Sequence, residues 1–297
     1  MIYKVTLLQD IKHIQDYRIT STNSMKPEDY PPQEPVPEFA REYNEYLLKK
    51  AAELGGTGDI YGADPYQSVL YFPAPEPDGN VFIMIHGGGW TSGYKEWMAF
   101  MAPVFNRAGI GFVSVGYRLA PTHVFPAGLD DCMSGLRWVY NNVDKLSGDP
   151  TRLFISGHSA GGHQTSLMAV RKDWQANYGL PVDVIRGCLP VSGVFDFREG
   201  SGLSMRPRFL GASGNEIAAS PICNIQGTPP PFFLSYGSND FPHLITQSQQ
   251  MEQVLRAAGG ETTSLELQGC NHLQANLACG DPDGPWAGRV IEWIREH

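Results

Sequence analysis

Between residues 67 and 267 the chain alternates short, almost wholly apolar runs with longer stretches of helical period, and this alternation narrows the fold more than any other feature. The runs are QSVLYF (67–72), VFIMIH (81–86), GFVSVGY (111–117), LFIS (153–156), VIRGCLPVSG (184–193), PFFLSYG (231–237) and TSLEL (263–267). Helical segments are expected near 97–107, 127–143, 160–171, 244–258 and 286–296. A strand that is apolar on both sides needs cover on both faces. A helix between two strands supplies that cover and returns the chain for parallel pairing. The pattern predicts an α/β fold with a mostly parallel central sheet of about eight strands and helices on both faces. At 297 residues, 42% hydrophobic and 18% charged, the chain can bury the core of one large domain of this kind.

The start of the chain departs from the pattern. MKPEDYPPQEPVPEF (25–39) is proline-rich and reads as extended or irregular backbone. PEFAREYNEYLLKKAAEL (37–54) then reads as a helix, with Phe39, Tyr43, Tyr46 and Leu47 on one face and GGTGD ending it. The expected organisation is an N-terminal extension with a helical cap segment over 1–62 and a catalytic domain over 63–297. Residues 197–222 follow no clean period and are expected to form a lid-like insertion. The N-terminal segment is expected to lie over the carboxyl ends of the strands; packing on the far side of the sheet, or against a second copy in a homodimer, is the alternative.

The formal net charge of −9 is spread along the chain without a basic run, which argues against a nucleic-acid partner. Five cysteines at irregular spacing suit free thiols better than a disulfide framework. MIYKVTLLQDIKHIQDYRIT carries charges throughout and lacks the apolar core of a secretory signal, and no window reaches the length of a membrane span. The expectation is a soluble, cytoplasmic protein.

The stretch RLFISGHSAGGHQTSLMA (152–169) carries the chemistry. An apolar strand runs into Gly157-His158-Ser159-Ala160-Gly161 and an apolar helical segment follows at once. Glycines flanking a serine at such a turn clear space around it and permit backbone angles a side chain forbids. This is the G-x-S-x-G nucleophile elbow. Serine alone is a weak nucleophile and needs a histidine base oriented by an acid, in the chain order Ser, Asp, His. PFFLSYGSNDFPHL places Asp240 after one strand and TSLELQGCNHLQ places His272 after the last. His86-Gly87-Gly88-Gly89-Trp90 ends a buried strand in consecutive glycines, whose N–H groups can converge on developing negative charge together with that of Ala160. Asp196, in SGVFDF, also ends a strand and is the rival acid. Each element has a bland reading taken alone: a tight glycine turn, a helix cap, one more loop histidine. Four elements in this order, each after a strand, point together to acyl transfer at Ser159.

His158 and His163 stand five residues apart beside the elbow and are read as local packing rather than a metal pair. Trp90, Tyr94, Trp97, Phe125 and Phe241 either line an aromatic pocket or belong to the core. Trp90, Phe241 and His158 are the substrate-binding candidates.

The blocks HGGGW, VGYRLAPTHVFPAGLDDC and GHSAGGH resemble those of α/β-hydrolases of the hormone-sensitive-lipase and kynurenine-formamidase (arylformamidase) group, and the likeness runs from about Ala63 to the C-terminus. YRLAP…FPA is similar to the hormone-sensitive-lipase-like carboxylesterases, which usually have Asp before the serine. Here His158 stands there, and GHSAGGH and SNDFPHLITQSQQM are closer to the formamidases. The resemblance implies an α/β-hydrolase fold, with Ser159 as nucleophile, Asp240 as acid, His272 as base and Gly88, Gly89 and Ala160 as oxyanion donors. It implies a serine hydrolase of a small ester or of an aryl amide or formamide, needing no metal and no organic cofactor. A non-hydrolytic ligand-binding protein on the same scaffold is the alternative from another class.

Overall fold

The computed structural model describes residues 25–212 and 214–297. The strands are β1 (Thr57–Ile60), β2 (Ser68–Phe72), β3 (Val81–Ile85), β4 (Gly111–Val115), β5 (Leu153–His158), β6 (Gly187–Val191), β7 (Phe232–Gly237) and β8 (Thr262–Leu267). The helices are α1 (Arg41–Leu54), α2 (Ala102–Arg107), α3 (Ala127–Asn141), α4 (Ala160–Val170), α5 (Glu216–Ala219), α6 (Pro242–Ala257), α7 (His272–Ala278) and α8 (Ala287–Glu296). The strands form one sheet in the order β1-β2-β4-β3-β5-β6-β7-β8. β3 to β8 are mutually parallel, while β2 pairs antiparallel with both β1 and β4. This is the mostly parallel α/β sheet that the sequence pattern predicts, in the α/β-hydrolase fold that the resemblance implies.

Alternation along each strand feeds two cores. Val81, Ile83 and Ile85 of β3 pack with residues of α3, α4 and α6, including Leu129, Leu167 and Met251. Phe82 and Met84 of the same strand pack on the other side with Leu47 of α1, Phe105 of α2 and Trp293 of α8. The continuous apolar runs are thereby explained, since neither face of a central strand meets water.

Three elements differ from expectation. Gly55, at φ 69°, does end α1, but Thr57 to Ile60 then turn back as an edge strand on β2. The sheet therefore crosses the boundary expected at residue 62. The helix expected over 97–107 begins as a 3-10 turn at Lys95–Met101 and becomes α-helical at Ala102, where Pro103 falls in the first turn, the one place a helix tolerates proline. Phe39 is 65% exposed, away from the buried face that holds Leu47. It lies in a 3-10 turn (Glu38–Ala40) ahead of α1, so the helical phase does not extend back to it.

Residues 30–34 form a strap across the loop that follows β3. The Tyr30 hydroxyl donates to Glu96 Oε2 at 2.8 Å and accepts from the Lys95 ammonium, while Lys95 Nζ lies 2.9 Å from Glu96 Oε1. All three side chains are buried. The Glu34 N–H donates to Thr91 O at 3.2 Å, and the Gln33 amide oxygen accepts the Gly93 N–H. Glu34 also ion-pairs with Arg208 of the 197–222 insertion, and Arg208 donates to Thr91 Oγ1 at 3.2 Å. That insertion is packed down rather than loose: Phe197, Phe209 and Leu210 are buried, and Phe209 stacks on Trp90 at 4.3 Å. The N-terminal stretch read as lacking a secretory signal lies outside the described residues. No described helix is long and apolar enough to cross a membrane. The five cysteines are free thiols.

Candidate active site

Four strand ends converge. β5 delivers Ser159 at φ 55°, ψ −115°, a left-handed conformation for a residue with a side chain, and α4 begins at the next residue. The flanking glycines are needed for space as much as for torsion. A Cβ on Gly157 would sit 2.3 Å from the Gly161 carbonyl, and one on Gly161 would sit 2.1 Å from Ile85 O. The elbow is thus pressed against the end of β3. Such a turn stores strain of order 1–3 kcal/mol, which the surrounding packing must hold.

His272 Nδ1 lies 2.8 Å from Asp240 Oδ1, and His272 Nε2 lies 2.9 Å from Ser159 Oγ. A carboxylate only accepts, so Nδ1 carries the proton and Nε2 is free to accept from the serine hydroxyl. Burial works against the charge on Asp240. The hydrogen bond and charge of His272, the nearby Ser192 hydroxyl and the Phe241 N–H outweigh it and hold the carboxyl below its ordinary value. Ser192 follows β6 at φ 50° with its hydroxyl buried and making no hydrogen bond within the described residues, and the residue before it, Val191, accepts the Ser159 N–H at 2.9 Å. Sequence reasoning missed Ser192; a serine closing an apolar run beside the strand of Ser159 was its only signal. It missed Gln33 and Glu34 as well, which are ordinary polar residues in a proline-rich stretch.

His272 does not sit in a plain loop as expected. It opens α7, whose N-terminus is capped by Asn271: Oδ1 accepts from Leu273 N at 3.1 Å and Gln274 N at 3.0 Å. A helix start fixes the backbone of His272 more firmly than a loop does. Asp196, the rival acid, faces elsewhere. Its carboxylate is held by Arg198, at 2.8 Å from Nη2, and makes no contact with His272.

Gly88 and Gly89 sit at φ 108° and 61°, and their loop is closed by Thr91 and Ser92 N–H groups donating to Gly88 O. A Cβ on Gly88 would collide with Ser92 O at 1.9 Å. The N–H groups of Gly88, Gly89 and Ala160 donate to no protein acceptor among the described residues. Of the substrate-binding candidates only Phe241 is exposed, at 42%, with its ring 5.0 Å from that of His272. Trp90 and His158 are buried. The Trp90 indole N–H donates to His163 Nδ1 at 3.0 Å, leaving His163 Nε2–H to donate to Ala219 O at 2.7 Å. Both ring nitrogens of His163 are thus committed within the protein, and burial pushes its pKa down to about 4. No cluster of three or more metal-ligating side chains occurs among the described residues. Trp97 and Phe125 are core, Tyr94 is half-buried, and Phe39 meets Phe241 edge-on at 6.5 Å.

The BD-FAE family model matches residues 70–255, which include Ser159 and Asp240. Esterase LipQ of Mycobacterium tuberculosis is 30% identical over 217 residues, spanning 67% of this chain and 51% of that protein. Carboxylesterase NlhH of the same organism is 42% identical over 105 residues, spanning 34% of this chain and 32% of that protein. The chain thus spans about half the length, or less, of these two relatives. Among solved structures, a truncated carbohydrate esterase from gut microbiota superposes with a TM-score of 0.70 at 18% identity, over 80% of this chain and 94% of that one. The Pyrobaculum calidifontis esterase does so at 0.67 and 21%, over 87% and 92%. At such identities these two show the fold alone. The resemblance to hormone-sensitive-lipase-like carboxylesterases holds, and with well over half its length matched, this chain belongs to the BD-FAE family.

Proposed function

We propose that the chain is a serine hydrolase that cleaves small-molecule esters through an acyl-enzyme. The observation that carries this reading is the unbroken relay Asp240–His272–Ser159, at 2.8 and 2.9 Å, ending on a strained serine at a helix N-terminus. His272 Nε2 takes the hydroxyl proton as Ser159 Oγ attacks the ester carbonyl, and Asp240 stabilises the imidazolium. The tetrahedral oxyanion is received by the N–H groups of Gly88, Gly89 and Ala160. His272 then gives its proton to the departing oxygen, leaving Ser159 acylated. Water, deprotonated by the same imidazole, attacks the acyl carbon and restores the serine. The esterase and carboxylesterase names of the relatives support an ester as the substrate class.

The same steps cleave an activated aryl amide or formamide, with the proton delivered to nitrogen. GHSAGGH and the residues after Asp240 favour that finer reading. Turnover of p-nitrophenyl acetate against an aryl formamide separates the two. In both assays Ser159→Ala is expected to lose on the order of 10⁴-fold or more in kcat. A fluorophosphonate is expected to label Ser159 and no other residue by peptide mass spectrometry. A variant keeping a tenth of the wild-type rate would overturn the assignment. A wild-type chain that binds esters without turning them over would favour the non-hydrolytic alternative.

A further inference from the structure

His158 immediately precedes the nucleophile and takes no part in the relay, yet its ring is held from three sides. Its Nε2 lies 2.9 Å from the main-chain oxygen of His272, and since a carbonyl only accepts, Nε2 carries the proton. Its ring centroid is 4.7 Å from that of His272. On the other side Gly87 comes so close that a Cβ there would lie 3.0 Å from His158 Nδ1 and 3.3 Å from Ser159 Cβ. The side chain is 3% exposed, which leaves no surface for a substrate to touch.

We infer that His158 is a positioning residue for the base: by donating to the His272 carbonyl it fixes the backbone of the residue whose ring tip Ser159 engages. The inference rests on the ester-hydrolase reading above. Consecutive side chains on a strand point to opposite faces, but the left-handed turn at Ser159 brings residues 158 and 159 to the two ends of one histidine. Other ties hold the neighbouring backbone. Asn271 caps α7, and the Asn239 N–H of the acid's loop donates to Cys270 O at 3.0 Å. The His158 bond adds the tie from the nucleophile's own strand. Rotation of the His272 backbone would lengthen both relay bonds, and misplacement of about 1 Å is enough to cost on the order of 10²-fold in rate.

Neutrality suits the role. Burial, and then the charge of His272, push the His158 pKa down to about 3, against the opposing pull of the carbonyl bond and of Asp240. His243 is a further titratable group beside Asp240 and His272. A second positive charge therefore does not form beside the imidazolium of the transition state.

Three variants test this with p-nitrophenyl acetate as substrate. His158→Leu is expected to lower kcat by about 10–100-fold with KM within about twofold. His158→Gln keeps an amide donor and is expected to recover most of the loss. His158→Asp places a carboxylate beside the base and is expected to move the acid limb of the kcat profile to higher pH, because a nearby negative charge favours the imidazolium. The NMR signal of the proton shared by His272 and Asp240, assigned through its loss in Asp240→Asn, reads the same geometry without turnover. It is expected to broaden or shift in His158→Leu and to return in His158→Gln. Wild-type kcat in His158→Leu, or a glutamine variant as impaired as the leucine, would overturn the inference. So would a change confined to KM, which would return His158 to the substrate. If the wild-type chain proves inactive, the ester reading falls and the proton signal still decides whether His158 orders the base.

Discussion

At the residue scale, Asp196 and Asp240 form an internal comparison. Both follow strands of the same sheet and both are buried, but only Asp240 meets the imidazole, while Asp196 is neutralised by Arg198. Asp240→Asn should leave the shape intact and present the wrong tautomer at Nε2, with an expected loss of about 10⁴-fold in kcat. Asp196→Asn should cost less than about tenfold, since its partner is exposed to water and can be rehydrated. Steady-state rates on one ester decide the ranking, and the reverse order would move the acid to the β6 side. The order Ser, Asp, His does not choose between them, since both carboxylates lie between Ser159 and His272; the choice rested on the resemblance, and Arg198, two residues after Asp196, was a visible sign that this carboxylate had other business. Ser192 was not legible, because its importance comes from a turn at φ 50° and a carboxylate forty-odd residues on, neither of which a local pattern encodes.

At the scale of elements, what was legible is what hydrophobic period encodes: seven strands and the helices between them. β1 was not, since TGDI is short and half-exposed and owes its structure to pairing with β2. α7 was not, because seven residues make too little period to detect, although the Asn271–Gln274 capping box was there to be read. The strap separates two kinds of contact that look alike on paper. Tyr30→Phe removes a hydroxyl shared by the buried Lys95 and Glu96, and should cost about 1–3 kcal/mol of unfolding free energy in urea. Arg208→Ala removes an exposed ion pair, and should change stability by less than about 1 kcal/mol. It frees the insertion from the strap, however, so we expect KM and acyl-chain preference to move more than melting temperature. Equal selectivity in Arg208→Ala and wild type would make the strap structural only.

For the molecule as a whole, three buried histidines predict how it responds to acid. Burial lowers the pKa of His86 and His163 to about 4 and of His158 to about 3. In the unfolded chain each titrates near ~6.5. Above that value the two states hold the same protons. As pH falls below it the unfolded chain takes them up and the folded chain does not, so stability drains away until the folded values are reached. Each group accounts for a few kcal/mol at most, and close to three protons should be taken up on unfolding at about pH 5. Urea denaturation between pH 7 and pH 4 measures this, and His163→Asn should remove about one of the three. A flat profile over that range would mean the histidines are hydrated in the native state. The same whole-molecule view gives the relay another meaning. Its bonds join residues 113 and 32 positions apart, carried on β5, β7 and β8, which share one sheet only through β6. An unfolded or half-folded chain therefore carries only an ordinary alcohol at Ser159. Capture of that serine by a fluorophosphonate during refolding is then a stopwatch for the last strand to dock, running behind the recovery of helix.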